Sequence, residues 1–221
     1  KLPLDYENTP LAAHAARALH CAPNDISAVH LRKRSVDARD KGDIRFVLTL
    51  DVETKRPLRS LPKGCEQLSA PTPRPLPTPR ALDHRPLVVG LGPAGLFAAL
   101  YLARAGLRPL LVERGPAVED RVRAVAAFER TGLLDEEAKI QFGEGGAGTF
   151  SDGKLNTGIK SSHIRHVLEA FVEAGAPEDI LVDAKPHIGT DLLVDVVRNL
   201  RRAIEEAGGE VRFLTRLDGL V

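Results

Sequence analysis

The sequence predicts an α/β protein with two parts, a small βαββ module and a larger region in which strands and helices alternate. Three observations support this prediction. A proline-rich segment divides the chain near residue 70, and the spacing of apolar residues differs on its two sides. In addition, a glycine-rich turn joins a strand to a helix shortly after the proline-rich segment.

Residues 1–68 predict a module of ferredoxin-like type. Apolar residues at helical spacing are followed by two β-rich stretches, and Lys41-Gly42-Asp43 supplies the turn between these stretches. The predicted elements are the end of a first strand at residues 2–4, a helix over 8–19, and strands over 26–36 and 44–52.

The next segment, residues 69–86, alternates proline with polar residues, which excludes a helix interior and predicts an extended linker. After it, residues 87–221 alternate between strand and helix patterns. The predicted strands are 87–89, 109–112 and 210–214, and the predicted helices are 94–105, 118–128, 162–174 and one from 190 or 191 to 207.

The glycine-rich turn has the sequence Gly90-Leu-Gly-Pro-Ala-Gly95 and lies where a strand meets a helix, as the dinucleotide-binding fingerprint requires. Gly90 permits the tight turn, Gly92 leaves room for a diphosphate, and Gly95 lets the helix pack closely on the strand. The helix then begins at Pro93 and Ala94, where free N–H groups and the positive dipole end favour a bound anion.

Glu113 follows the second strand of this region, 23 residues after Gly90. A carboxylate at this position accepts hydrogen bonds from ribose hydroxyls, and it repels a 2′-phosphate, although Arg114 is adjacent. The pattern therefore predicts dinucleotide binding, against the alternative of a glycine-rich turn in an unrelated α/β protein. Spacing alone does not decide between FAD and NAD, so a plain NAD-dependent dehydrogenase stays an alternative.

Five segments extend the comparison beyond the turn. Residues 85–100, 112–115 and the long glycine-rich motif 141–157 closely resemble the bacterial family of uncharacterised FAD-dependent dehydrogenases. Ser35-Val-Asp-Ala-Arg39 and residues 184–191 are similar to that family too. This resemblance implies FAD as the cofactor and a Rossmann-like FAD-binding fold of the glutathione reductase type, with residues 87–221 as its first part.

The same resemblance favours contact between the glycine-rich loop, residues 143–158, and the cofactor, whereas the loop alone is equally typical of a surface segment. Lys154 in this loop is a candidate to stabilise a reduced flavin ring. The backbone N–H groups expected to face the diphosphate belong to Gly145, Gly146, Ala147 and Gly148.

Composition excludes several functional classes. The chain has 31 Lys and Arg against 30 Asp and Glu, a net charge of +1, which provides no overall field for nucleic acid. No apolar run is long enough for a membrane span, and Cys21 and Cys65 have no metal-ligand or redox spacing. We therefore expect a soluble, cytoplasmic protein with free thiols and no metal. The absence of methionine and the strand-like residues 214–220 predict a piece of a longer gene product that is inactive alone.

The function predicted from these features is an FAD-dependent oxidoreductase with an unknown small-molecule substrate or electron acceptor. NAD(P)H is a candidate donor, although no second GxGxxG joins a predicted strand to a predicted helix in this chain. Catalytic residues are not identified, and His187 is only a candidate acid or base. The alternative is an RNA-binding or tRNA-modifying flavoprotein in which Arg32-Lys33-Arg34 contacts phosphates. The N-terminal sheet lacks the aromatic pairs that stack bases, which argues against this alternative.

Overall fold

The computed structural model describes residues 1–69 and 82–219, so most of the predicted linker lies outside the described residues. The chain is mixed α/β, as predicted, and it divides into two compact units. The described part of the first unit contains residues 1–69 together with Leu181–Pro186, and that of the second contains the remaining described residues.

The first unit is built on an antiparallel hairpin of β1 and β2 and one helix, α1, as the predicted order requires. Its small core contains Tyr6, Ala15 and Ala16, and the Tyr6 ring packs edge to face on Phe46 with centroids 5.4 Å apart. The bounds are α1 Leu11–Leu19, β1 Ile26–Asp37 and β2 Arg45–Thr54, with 3₁₀ turns at Tyr6–Asn8 and Pro23–Asp25.

The predicted first strand at residues 2–4 is reduced to one antiparallel bridge between Leu2 and Phe46, closed by hydrogen bonds of 2.8 and 2.9 Å. The reason is local, because Pro3 has no N–H to donate to a ladder and the chain turns directly after it. The ferredoxin-like arrangement of this module therefore stays a prediction.

A distant segment, Leu181–Pro186, completes the first unit. Arg34 of β1 donates its N–H to the Val182 carbonyl at 2.7 Å and accepts the Ala184 N–H at 2.9 Å. The Arg34 guanidinium also binds the Asp183 carboxylate, with Nε 2.7 Å from Oδ1. A segment 149 residues away in sequence thus pairs with β1.

The second unit contains a three-stranded parallel sheet in the order β3-β4-β5, with β4 in the centre. Helix α2 packs on β3 and β4, α5 packs on β5, and the two helices pack on each other. The bounds are β3 Leu87–Val89, α2 Pro93–Arg104, β4 Leu110–Val112, α3 Val118–Thr131, α4 His163–Glu173, α5 Thr190–Glu206 and β5 Glu210–Arg212, with 3₁₀ turns at Ala147–Phe150 and Glu178–Leu181.

The core of this unit follows the helical spacing of its apolar residues. One face of α5 is buried at intervals of three and four residues, and it meets a similar face of α2. Phe97 of α2 also packs edge to face on Phe171 of α4, with ring centroids 5.4 Å apart. The buried residues are Leu193, Val196, Val197, Leu200 and Ile204 on α5, and Leu96, Ala99, Leu100 and Ala103 on α2.

Residues 214–220 were expected to be strand-like, and the part of this segment up to residue 219 contains no strand. Strand β5 ends at Arg212, and Leu214 has a φ of 52°, which interrupts an extended backbone. Beyond β5 the chain still follows the end of β4, because the Thr215 N–H donates to the Glu113 carbonyl at 2.9 Å. This path brings residues 215–217 to the edge of the sheet where β4 ends.

Candidate functional site

The carboxyl ends of the three parallel strands meet at one edge of the sheet, and the candidate site lies there. Strand β3 ends at Val89 and passes directly into the glycine-rich turn. Gly90 has a φ of +89° and donates its N–H to the Val112 carbonyl of β4 at 2.8 Å. Gly92 then precedes the first residue of α2, Pro93, so the free N–H end of α2 opens at this edge.

Gly95 is the contact point between α2 and the turn. A Cβ atom built on Gly95 would collide with the Gly90 carbonyl oxygen, and it would lie 3.6 Å from a methyl group of Val88. No side chain fits at this position, because the colliding atom belongs to the backbone. Close packing of helix on turn therefore requires glycine here.

Glu113 follows β4 at the same edge, and its side chain is almost completely buried at 4% exposure. Its Oε2 accepts the N–H of Leu91, inside the glycine-rich turn, and its Oε1 accepts the N–H of Gly115, both at 2.8 Å. Each carboxylate oxygen keeps a second lone pair after these bonds. The carboxylate is thus held at the mouth of the turn with acceptor capacity remaining.

A cleft of about 640 Å³ opens beside Glu113 and the first turn of α2. Of the residues predicted to bind a cofactor, seven line this cleft and five do not. The seven are Gly90, Gly92, Pro93, Glu113, Arg114, Gly146 and Ala147, and the five are Ala94, Gly95, Gly145, Gly148 and Lys154.

The glycine-rich loop lies against the turn through its own backbone. The Gly145 N–H donates to the Leu91 carbonyl at 2.9 Å, and the Gly146 N–H donates to the Gly143 carbonyl at 2.8 Å. A Cβ on Gly146, which has a φ of +67°, would lie 2.9 Å from Cδ of Pro93. These two N–H groups therefore shape the loop, and contact of the loop with a cofactor stays a prediction.

Lys154 lies farther along the same loop and is exposed. Its Nζ is 2.7 Å from the Asp152 carboxylate, which raises the pKa of the ammonium, and its backbone bridges to His187. The His187 ring contacts the Asp152 carbonyl through Nε2. The predicted roles of Lys154 at a flavin and of His187 as an acid or base stay predictions.

Eleven of the eighteen residues that line the cleft were not among the predicted cofactor-binding residues. Phe142 and Leu217 give the cleft apolar surface, and Lys139 and Arg216 add cations. Glu137 also lines it and binds Arg114 at 2.5 Å. The segment 136–143 had no periodic pattern to predict its position, and residues 215–217 reach the cleft only because they follow the end of β4.

The family described as "FAD binding domain" matches residues 84–221, which is more than half of the chain. The chain belongs to this family. FAD is accordingly its cofactor, which confirms the prediction made from the resemblance, and the second unit contains an FAD-binding domain. Residues 1–53 match a separate domain of unknown function.

Two relatives are similar over long stretches of this FAD-binding chain. An uncharacterised protein of Clostridium beijerinckii is 40% identical over 98% of the chain, which spans 42% of that relative. Aklavinone 12-hydroxylase RdmE of Streptomyces purpurascens is 32% identical over 59% of the chain, equal to 25% of that relative. The chain thus spans less than half of each of these relatives.

The cleft fits the ADP half of FAD on three observations. The N-terminal end of α2 is unobstructed because Gly92 has no side chain, and a Cβ at Gly92 would meet nothing within 4 Å. Glu113 lines the same cleft. Lys139 also borders the cleft and adds positive charge toward a diphosphate, whereas the lining cations Arg114 and Arg216 are paired with Glu137 and Asp218.

In the described residues, 1–69 and 82–219, no group of three or more metal-ligating side chains occurs. No helix within the described part of the chain has the length and apolar content that a membrane crossing requires. Cys21 and Cys65 are both free thiols, as predicted.

Proposed function

We propose that this protein is an FAD-dependent oxidoreductase that binds the ADP half of FAD in the cleft between the glycine-rich turn and Glu113. The observation that carries the proposal is the buried Glu113 carboxylate, which is held by the N–H of Leu91 at the mouth of the turn. A carboxylate so close to the start of α2 has the position that a ribose next to a diphosphate requires.

Each part of the ADP half is bound by a different kind of protein group. The N-terminal end of α2, after Gly92, attracts the diphosphate through the helix dipole, and its free N–H groups begin at Ala94 because Pro93 has none. Glu113 accepts hydrogen bonds from the ribose hydroxyls with its remaining lone pairs. The apolar surface of Phe142 and Leu217 suits the flat adenine ring.

Charge supports FAD over a 2′-phosphorylated dinucleotide in this cleft. A 2′-phosphate on the adenosine ribose would lie beside the Glu113 carboxylate, and the two like charges would repel each other. Arg114 does not remove this repulsion, because its guanidinium is bound to Glu137 at 2.5 Å. NADPH or NADH acts in this proposal as an electron donor from outside the cleft.

FAD, when bound, supplies the redox chemistry by accepting and donating electrons at its ring system. The protein residues bind and orient the cofactor, and Glu113 anchors the end remote from that ring. The small-molecule substrate or electron acceptor and the finer description as a dehydrogenase belong to this proposal as expectations.

The absorbance spectrum of the complete gene product tests the proposal directly. We expect flavin bands in the purified protein, release of FAD on denaturation, and loss of the oxidised bands on anaerobic addition of NADH or NADPH. A colourless protein that does not bind added FAD at micromolar concentration would refute cofactor binding. A yellow protein that no nicotinamide reduces would instead require a different electron donor.

A second candidate function is flavin-dependent hydroxylation, which the similarity to aklavinone 12-hydroxylase supports. The two candidates differ in their use of oxygen. A hydroxylase consumes one O₂ for each NAD(P)H and inserts an oxygen atom into its substrate, whereas a dehydrogenase passes electrons to an acceptor under nitrogen. Oxygen-electrode measurements with and without candidate acceptors distinguish them.

The RNA-binding alternative has weaker support. In the basic run of β1, Arg32 is paired with Asp51 at 2.8 Å and Arg34 with Asp183 at 2.7 Å. Two of the three cations therefore already have carboxylate partners within their own unit. Retention on an RNA column that falls with rising salt would favour this alternative.

A further inference from the structure

One buried arginine contacts the start of the glycine-rich loop. Arg121 of α3 is fully buried although it is charged. It lies between the buried apolar residues Val118 and Val125 on the inner face of that helix. Its Nη1 donates to the Glu144 carbonyl, and its Nη2 lies 3.3 Å and 3.2 Å from the carbonyls of Lys139 and Ile140. Three carbonyls from residues 139–144, the segment that leads into the loop, thus converge on a single planar guanidinium.

The loop is held between this guanidinium and the glycine-rich turn. Gly143 has a φ of +90°, and a Cβ on it would lie 2.8 Å from Nε of Arg121, so the loop backbone lies directly on the guanidinium. On the other side, Gly145 binds the Leu91 carbonyl and Gly146 faces Pro93. Gly143 and Gly146 line the cleft, whereas Arg121 does not.

Glu144, between these glycines, is a fully buried carboxylate. Its Oε2 accepts the Val118 N–H at 2.6 Å, while its Oε1 lies 3.2 Å from Nε of Arg201 without hydrogen-bond alignment. Burial therefore raises the pKa of Glu144 to about 7, despite the nearby cations. The charged groups around this cluster are Glu119 and Arg121 on α3, Arg198 and Arg201 on α5, and Glu113 at the end of β4.

We propose that Arg121 and Glu144 are positioning residues for the cofactor, with Arg121 fixing the shape of the loop at residues 143–146 and Glu144 linking that shape to a proton. This inference rests on the proposed binding of FAD in the cleft. Neither side chain lines the cleft, so both act through the loop backbone. Neither residue was assigned a role from the sequence, although Glu144 lies within the motif 141–157, because charged side chains are normally exposed to solvent.

The proton link has a definite sign. A diphosphate next to Gly146 adds negative charge near the Glu144 carboxylate and favours its protonated form. FAD binding then takes up a proton, and affinity is greater below the pKa of free Glu144 than above it. If binding raises this pKa by about one unit, FAD affinity at pH 8.5 is about five- to tenfold weaker than at pH 6.

Titration of FAD into the complete gene product, followed by quenching of flavin fluorescence between pH 6 and pH 8.5, tests the inference. None of the described residues that line the cleft is a histidine, so Glu144 is the group expected to titrate in this range. We expect Glu144→Gln to flatten the pH profile, because the amide keeps an acceptor for the Val118 N–H but does not ionise. Arg121→Met should weaken FAD binding at least tenfold, and Arg121→Lys should not restore it, because an ammonium cannot bind three carbonyls in one plane.

The matched control is Arg123→Met, two residues along the same helix, where the side chain is 78% exposed and pairs with Asp120 of the same helix. This variant should bind FAD within about twofold of wild type, since a surface ion pair contributes little. Thermal melting of each apoprotein separates loss of fold from loss of affinity. If Arg121→Met does not fold, the pH profile of Glu144→Gln decides.

The outcomes distinguish the inference from the proposed function. A wild-type protein that does not bind FAD overturns the proposed function itself. A wild-type protein that binds FAD with a flat pH profile, or a Glu144→Gln variant that keeps the wild-type profile, overturns the proton link. Arg121→Met with wild-type affinity overturns the positioning role.

Discussion

Replacement of Glu113 by glutamine tests the proposed ribose contact with the least change in shape. In the wild-type protein each oxygen of the Glu113 carboxylate accepts one backbone N–H at 2.8 Å, from Leu91 and from Gly115. Glutamine offers one oxygen and one NH₂ group, so one of these N–H donors would face another donor. The variant therefore loses the negative charge, one backbone bond and half of the acceptor capacity toward ribose.

The expected magnitude follows from hydrogen bonds to a charged group, which contribute about 1.5–3 kcal/mol each. Loss of one such bond to the ribose weakens FAD binding about 10- to 100-fold, at about 1.4 kcal/mol for each factor of ten. The unpaired backbone N–H also lowers the free energy of unfolding by about 1–3 kcal/mol. Both changes are measurable on one preparation, by calorimetric titration of FAD and by urea unfolding of the apoprotein.

Glu129→Gln is the matched control, because Glu129 is exposed on α3 and does not line the cleft. It should change neither FAD affinity nor stability beyond experimental error. The reasoning is refuted if Glu113→Gln binds FAD within twofold of wild type while its urea midpoint falls. That combination would show that Glu113 only supports the turn and does not contact the cofactor.

Three further predictions concern the glycine-rich turn, the loop lysine and pH. Gly95→Ala should abolish measurable FAD binding and lower stability by about 1–3 kcal/mol, because its Cβ collides with backbone. Gly219→Ala, where a Cβ meets nothing within 4 Å, is the control. Lys154→Ala should make the flavin reduction potential more negative, since a cation near the ring stabilises its anionic reduced form, and an unchanged potential would exclude this role. The pKa of Glu144 is raised to about 7 in the folded protein, so the folded state holds its proton more tightly than the unfolded chain does. The free energy of unfolding should therefore fall between about pH 4.5 and pH 7, and urea titrations should show a smaller fall for Glu144→Gln.

Several parts of the site could be predicted because their requirements are local. The turn after β3 needs a positive φ at Gly90 and a missing side chain at Gly95, and both needs act within six residues. The position of Glu113 follows from one strand–helix–strand unit, whose parallel strands must end at the same edge. Helix α5 was predicted from apolar spacing alone, since its buried face repeats every three to four residues.

Other parts could not be predicted because their causes are distant in sequence. Arg34 pairs with Val182 and Asp183, but no periodic or turn pattern in either of the two sequence segments predicts this contact. The N–H groups of Gly145 and Gly146 were expected to donate to an anion. In the structure they donate to the carbonyls of Leu91 and Gly143. A glycine pattern predicts where a backbone can bend, and it does not predict which carbonyl each N–H will meet.

The amino-acid sequence by itself determined the strand–turn–helix unit, its acidic partner and, through resemblance, the cofactor, because glycine conformation and helix periodicity are short-range properties of the chain. Only the tertiary structure decided which residues surround the cleft and which charged side chains are buried away from solvent. Arginine and glutamate usually lie on the protein surface. Arg121 and Glu144 are buried because α3, α5 and the glycine-rich loop pack around them. Burial depends on the sum of many distant contacts, so no local pattern encodes it.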